Sequence, residues 1–99
     1  MYVILWEYKV NVEHQIEFEK TYSSNGRWVE LFRKGVGYIG TELLRDEKHP
    51  QRYLTIDRWN SKEEYEHYLI QHEKEYKILD TQCEGLTEQE SLIGKWDFV

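Results

Sequence analysis

The stretch from Arg52 to Leu79 constrains the fold most, because it predicts a strand followed directly by a helix that is buried on one side. The strand, YLTIDRW, is rich in β-branched and aromatic residues and contains no Pro or Gly. Ser61 and Glu64 then have the spacing of a capping box, which satisfies backbone N–H groups that the first helical turn leaves unpaired. Beyond this cap, aromatic and apolar residues recur at steps of three and four, at Tyr65, Tyr68, Leu69, His72, Tyr76, Leu79 and Cys83. The spacing predicts one amphipathic helix with an aromatic face.

Alternation along the strand separates its side chains into two sets, because successive residues of a strand point to opposite faces. One set is Leu54, Ile56 and Arg58, and the other is Tyr53, Thr55, Asp57 and Trp59. The strand carboxylates Asp57 and Glu42 are expected to form ordinary ion pairs with Arg58 or Arg45, rather than an acid–base pair for catalysis.

The rest of the chain supplies the other elements of a small α+β fold. Strands are predicted over residues 2–10, 38–46 and 90–99, the last with Leu92, Trp96 and Phe98 on one face. A first helix is expected to begin at an Asn11 cap and to run to about Tyr22. A short helix over residues 27–34 follows, with Gly35 as its C-terminal cap.

This order of elements, β-α-β-β-α-β, predicts a ferredoxin-like α+β sandwich. Right-handed crossovers place both helices on one face of a four-stranded antiparallel sheet. The length suits one domain over residues 1–99. The strands carry apolar residues on both faces, such as Val3 and Leu5 next to Ile4 and Trp6, so the helix-free face is too apolar for a monomer. We therefore expect a homodimer in which two sheets pack face to face.

Charge and composition exclude several classes of function. The formal net charge of −6 argues against nucleic acid and anionic membrane surfaces as partners. No apolar run approaches the roughly 20 residues of a membrane span, and no secretory signal is recognisable. The single cysteine, Cys83, fits a reducing compartment, so a cytoplasmic location is expected. No metal motif or Gly-rich phosphate loop is present, and neither a metal nor a nucleotide cofactor is predicted.

The segment TIDRW-NSKEEYEHY resembles the antibiotic biosynthesis monooxygenase domain family, a family of dimeric α+β barrels. It has a strand that ends in Trp, followed by a capped helix with an aromatic residue six positions after that Trp. The preceding strand GYIGTELLRD and the order of elements fit the same family, so the resemblance covers nearly the whole chain. It implies oxidation of small aromatic or quinol-type molecules by O2, without a bound metal or flavin, in one branch. Another branch binds and degrades haem.

The resemblance also places individual residues. Trp59 and Tyr65 lie at the positions that line the pocket of the aromatic-oxidising branch. Thr55 stands where that branch has an Asn, and it offers a hydroxyl in place of an amide. The Asn, Trp and His of the haem-degrading branch would fall near Glu7, Tyr68 and Ile78, and none of the three matches. The resemblance therefore does not imply haem degradation here.

An oxygenation without a cofactor requires the protein to remove a proton, stabilise the resulting anion and exclude water. His72 is the residue on the inner helix face that titrates near neutrality, so it is the predicted base. Thr55 or Tyr65 is expected to hydrogen-bond the substrate oxygen. The predicted substrate-binding residues are aromatic: Trp59, Tyr68, Trp28, Phe32 and Tyr76. Two alternatives stay open, namely a non-catalytic homodimer that binds a small ligand, and a cavity filled by its own rings.

Overall fold

The computed structural model describes residues 1–99, with four strands and four α-helices. In chain order these are β1 (Tyr2–Val10), α1 (Gln15–Tyr22), α2 (Arg27–Phe32), β2 (Tyr38–Arg45), β3 (Arg52–Trp59), α3 (Lys62–Gln71), α4 (Glu73–Cys83) and β4 (Thr87–Asp97). The strands form one antiparallel sheet in the order β2-β3-β1-β4. This arrangement confirms the predicted ferredoxin-like α+β fold. No helix has both the length and the apolar character needed to cross a bilayer.

The strand β3 lies in the middle of the sheet and alternates as predicted. Tyr53, Thr55, Asp57 and Trp59 are all buried towards the helices, while the intervening residues are partly exposed on the other face. Residues of β1 that point the same way, among them Ile4 and Val10, complete this inner face. The core is therefore a layer of mainly aromatic side chains between the sheet and the helices.

The predicted long helix after β3 is interrupted at His72, and this prediction was wrong in that respect. His72 has φ −114° and ψ 26°, outside helical geometry, and it separates α3 from α4. The aromatic stripe nevertheless faces the core, because Tyr68, Leu79 and Cys83 are buried and Tyr65 is packed against them. The break therefore divides the helix without exposing that face.

The predicted capping box at the start of α3 forms only in part: Ser61 caps the helix, but the Glu64 carboxylate bonds the Ser61 hydroxyl and not its backbone N–H. The backbone N–H of Glu64 donates to Ser61 Oγ at 3.2 Å, and the Ser61 hydroxyl donates to Glu64 Oε1 at 3.1 Å. We expect Ser61→Ala to lower the free energy of unfolding by about 1 kcal/mol, because it leaves a backbone donor of the first turn unpaired. Urea denaturation measures this difference. Ser24→Ala, at an exposed loop position, is the control, and an equal loss in both variants would contradict the role of the cap.

The last strand contains a bulge that redistributes its side chains. In the β1–β4 pairing, Leu5 opposes Gly94 and Trp6 opposes Leu92, so one extra residue of β4, Ile93, lies between them. Leu92 therefore points to the helix side, while Trp96, opposite Val3, points to the open side. The prediction that Leu92 and Trp96 share a face was wrong for this reason.

Two predicted helix ends also differ from the structure. Asn11 does not cap a helix: its Nδ2 donates to the carbonyl of Gly85 at 2.9 Å, and a short 3-10 turn precedes α1. Gly35 is not a left-handed cap, since the positive φ of 91° belongs to Gly37. Gly35 instead makes room for two rings, because a Cβ there would lie 2.9 Å from Trp59 Cη2 and from Tyr68 Cδ1.

Candidate functional site

A cavity of about 190 Å³ lies between the inner face of the sheet and the four helices. Its aromatic lining comes from β1 and all four helices, with Trp6, Tyr8, Tyr22, Trp28, Phe32, Tyr65 and Tyr76. Its polar lining is Thr41, Thr55, Asp57, Asp80 and Glu90. The volume is below the roughly 300–1,000 Å³ of typical ligand pockets, so the cavity suits a small molecule.

Asp57 is the buried charged group of this cavity. It is 7% exposed, and its Oδ1 accepts a hydrogen bond of 2.7 Å from the Thr41 hydroxyl. Its other oxygen, Oδ2, makes no hydrogen bond with the protein and is not among the polar atoms sealed from solvent. Burial raises the pKa of Asp57 to about 6, and the hydrogen bond from Thr41 opposes that rise. Asp57 therefore exchanges a proton near neutral pH, as a general base must.

A chain of hydroxyl groups holds the carboxylate in place. Because the Thr41 hydroxyl donates to Asp57, the phenol of Tyr38 must be the donor in its 2.6 Å contact with Thr41 Oγ1. A second hydrogen bond joins the hydroxyl of Tyr8 on β1 to that of Thr55 on β3, with 3.1 Å between the two oxygens. The polar floor of the cavity is therefore fixed by neighbouring strands of the sheet.

The remaining charges of the cavity are negative as well. Asp80 on α4 and Glu90 on β4 line it together with Asp57, and no Lys, Arg or His does. Partial desolvation and the nearby Asp80 raise the pKa of Glu90. The Lys95 ammonium lies outside the lining, 5.5 Å from the centroid of the Tyr65 ring. The site is thus aromatic and acidic.

Five of the eight sequence-predicted site residues line this cavity. They are Thr55, Tyr65, Trp28, Phe32 and Tyr76. Trp59 and Tyr68 do not, since they are 0% and 1% exposed and pack against each other behind the lining, with ring centroids 5.1 Å apart. Alternation along β3 correctly predicted which side chains point towards the helices. It did not predict which rings line the cavity and which are buried behind the lining.

His72 also lies outside the cavity lining. Its ring stacks on Tyr68 with a centroid distance of 5.4 Å, and its Nδ1 is 2.9 Å from Glu75 Oε1. Glu75 also pairs with Lys34, so His72 belongs to a polar group at the helix break. Its role as the base stays a prediction, while the geometry directs attention to Asp57.

Sequence reasoning missed Asp57, although the pattern contained the signal. Asp57 alternates in phase with Tyr53 and Trp59, so it points to the buried face, whereas Arg58 points to the open face. The expected ion pair with Arg58 or Arg45 was therefore wrong for Asp57. It forms instead between Arg58 and Glu42, on the open face.

No group of three or more His, Cys, Asp or Glu side chains is arranged to hold a metal ion. The cavity also does not fit a haem. Its volume of about 190 Å³ is small for a porphyrin, and no histidine lines it to ligate the iron.

Solved structures share this fold at low sequence identity. SnoaB, a cofactor-independent oxygenase from Streptomyces nogalater, superposes with a TM-score of 0.73 at 17% identity, over 99% of this chain and 92% of that one. An antibiotic biosynthesis monooxygenase superposes with a TM-score of 0.67 at 16% identity, over 100% and 99% of the two chains. A mutant of MhuD with two manganese protoporphyrin IX molecules bound per active site gives 0.69 at 19% identity, over 100% and 95%.

The sequence itself assigns the family. No curated protein is similar enough in sequence to count as a relative. The family model described as antibiotic biosynthesis monooxygenase matches residues 1–73, which include β1 to β3, α3 and the residues Thr41, Thr55, Asp57 and Tyr65. The chain therefore belongs to the antibiotic biosynthesis monooxygenase family.

Proposed function

We propose that this protein is a cofactor-independent monooxygenase that acts on a small aromatic substrate of the hydroquinone, anthrone or polyketide-like type. The observation that carries the proposal is Asp57, a buried carboxylate with a pKa of about 6 and a free oxygen in a cavity of aromatic side chains. A base of this kind deprotonates an acidic C–H or O–H group at neutral pH. We also propose that residues 1–99 form one domain, since strands from both halves of the chain form one sheet. A cytoplasmic location, which the single cysteine favours, is part of the same proposal.

The chemistry begins with a proton transfer to Asp57 Oδ2. The substrate anion then supplies electrons to O2, and the protonated carboxyl group donates a hydrogen bond to the organic anion. For an anthrone-type methylene, four electrons pass from carbon to one O2. One oxygen atom becomes the carbonyl of the product, and the other leaves as water with the two methylene hydrogens. No further oxidant or reductant is required.

The other polar groups orient the substrate. Burial raises the pKa of Tyr65 to about 12, so its phenol stays neutral and can donate a hydrogen bond to a substrate oxygen. The Thr55 hydroxyl, already engaged with Tyr8, offers a second contact. A substrate that fills the cavity displaces its water, which strengthens both interactions and protects the carbanion from solvent protons.

Oxygen consumption tests the proposal directly. A panel of hydroquinones and anthrones is supplied to the metal-free protein, and O2 uptake is recorded together with the product. We expect one O2 per anthrone converted to its quinone, above the spontaneous rate. A compound that raises the melting temperature through binding, with no O2 uptake by any of the panel, would instead support a non-catalytic small-ligand-binding protein.

We also propose that the protein acts as a homodimer, with the open sheet faces packed together. The open face carries Val3, Leu5, Leu54, Ile56 and Trp96, and Trp96 is 49% exposed in the single chain. We expect sedimentation at twice the chain mass of 12.2 kDa, and a shift to the monomer in Ile56→Asp. Ile70→Asp, on the exposed side of α3, is the matched control and should remain dimeric. A native chain that sediments as a monomer at micromolar concentration would contradict the proposal.

A further inference from the structure

We propose that the cavity selects an aromatic molecule that carries a protonated amine, and that it rejects aromatic carboxylates. This inference rests on the proposed function, because it names the substrate class of the same site. Asp57, Asp80 and Glu90 line the cavity from β3, α4 and β4, so negative groups surround a bound ligand on three sides. None of the lining residues is cationic.

The charges near the cavity do not cancel one another. Asp57 hydrogen-bonds to Thr41 and has no basic partner, and neither Asp80 nor Glu90 forms a salt bridge or a side-chain hydrogen bond. Burial is the main cause that raises the pKa of Glu90, and the negative charge of Asp80, which lines the same cavity, adds to it. A ligand ammonium group between them offsets this negative charge, whereas a ligand carboxylate adds to it.

The aromatic lining suits the same kind of ligand. Trp28 and Tyr76 meet edge to face with centroids 5.1 Å apart, and both border the cavity together with Trp6. The faces of Trp and Tyr rings attract ammonium groups, most strongly where water is excluded. The Lys95 ammonium already lies 5.5 Å from the Tyr65 ring, at the outer side of the site.

A cationic arm also removes a difficulty of the proposed reaction. The substrate becomes an anion next to Asp80 and Glu90, which disfavour a negative charge. A protonated amine on the substrate offsets these two carboxylates, and Asp57 becomes neutral once it has taken the proton. The expected substrate is therefore an oxidisable ring, such as a phenol or hydroquinone, with a short aminoalkyl chain. One ring with such an arm also agrees with a volume of about 190 Å³.

Three probes of similar size and different charge test the inference by isothermal titration calorimetry at pH 7.5. They are phenethylamine, 2-phenylethanol and 3-phenylpropanoate. We expect phenethylamine to bind at least 10-fold more tightly than the alcohol, and the carboxylate to bind at least 10-fold more weakly than the alcohol. Equal affinities for the amine and the alcohol, a preference for the carboxylate, or no binding of any probe would overturn the inference.

Two double variants separate the local charges from the net charge. Asp80→Asn with Glu90→Gln should reduce the preference for amine over alcohol to about 3-fold or less. Glu30→Gln with Glu47→Gln changes the net charge by the same amount at exposed positions outside the cavity and should keep the full preference. All four positions are exposed, so both proteins are expected to fold, and circular dichroism verifies this. An undiminished preference in the first variant would contradict the role of Asp80 and Glu90.

These binding measurements are independent of turnover, because none of the probes carries an oxidisable hydroxyl or methylene of the required acidity. If the hydroquinone and anthrone panel shows no O2 uptake while the amine preference holds, the proposed oxygenase function fails and the selectivity stands. If uptake occurs with neutral substrates and the probes bind without regard to charge, the oxygenase function stands and this inference fails.

Discussion

Asp57→Asn should abolish most of the proposed oxygenase activity while leaving the fold intact. We expect the rate of O2 uptake to fall by about 10²- to 10⁴-fold, the usual contribution of a positioned general base. The amide is nearly the same shape as the carboxyl group, and its oxygen still accepts the hydrogen bond from Thr41. The variant should therefore bind the substrate and fail to deprotonate it. Turnover within tenfold of the native rate would contradict the assignment.

The same substitution should stabilise the protein at alkaline pH. The pKa of Asp57 rises from 3.8 in the unfolded chain to about 6 in the folded one, so the folded state holds this proton more tightly. This stabilisation is present below about pH 4 and is lost as the pH rises through 6. Because the pKa of Asp57 is higher by roughly two units in the folded state, the lost stabilisation amounts to about 3 kcal/mol. At pH 8, Asp57→Asn should accordingly unfold at higher urea concentration than the native chain, and at pH 4 the difference should be small.

The pH profile and a second variant complete this test. Activity should rise with pH through about 6, as Asp57 becomes ionised. The phenols packed around Asp57, those of Tyr8, Tyr38, Tyr65 and Tyr76, have raised pKa values and stay neutral in this range. His72→Ala should keep its turnover, since His72 does not line the cavity. If His72→Ala is inactive and Asp57→Asn is not, the base predicted from the sequence is the correct one.

Trp59→Ala should produce the largest loss of stability. Trp59 is 0% exposed, and four aromatic rings surround it at centroid distances of 5.1 to 6.1 Å. Truncation of so large a buried ring leaves a cavity and costs about 3–5 kcal/mol, out of a total of roughly 5–15 kcal/mol for a domain. The midpoint of urea denaturation should fall in proportion, with an unchanged slope.

Two matched variants test the reason for that loss. Trp59 Nε1 has no hydrogen-bond partner, so Trp59→Phe loses volume but no hydrogen bond and should cost less than half as much. Trp96→Ala removes the same ring at a position that is 49% exposed in the single chain. If Trp96→Ala destabilises the protein as strongly as Trp59→Ala, the open sheet face and not the inner layer determines the stability.

The sequence predicted the fold well because its patterns are local and regular. Alternation in β3 and the cap at Ser61 each depend on a few neighbouring residues, and both appear as expected. The break at His72 was not predictable from the apolar stripe, since the stripe continues in phase through it. The bulge at Ile93 was also not predictable from the sequence. Neighbouring residues of the segment are apolar on both faces, so one extra residue does not change the visible pattern.

The candidate site was harder to predict, because it depends on pairings between distant segments. Thr41 and Asp57 meet only through the register of β2 and β3, and Asp80 and Glu90 meet only when α4 returns to the last strand. Thr55 and Tyr65 were found because the family resemblance places site residues at fixed spacings from Trp59. Asp57 also lies close to Trp59, yet its charge suggested an ordinary surface ion pair. Its alternation with Tyr53 and Trp59 was the stronger indication, because it places the carboxylate on the buried face of β3.

The interruption at His72 makes the roof of the cavity two separate rods. Tyr65 is carried by α3, whose start is fixed to the end of β3 by the Ser61 cap, while Tyr76 and Asp80 are carried by α4. Because His72 is non-helical, the two parts of the lining are positioned by separate helices and not by one continuous helix. A substitution in α4 can therefore change the lining at Tyr76 or Asp80 without altering the Ser61 cap that holds α3.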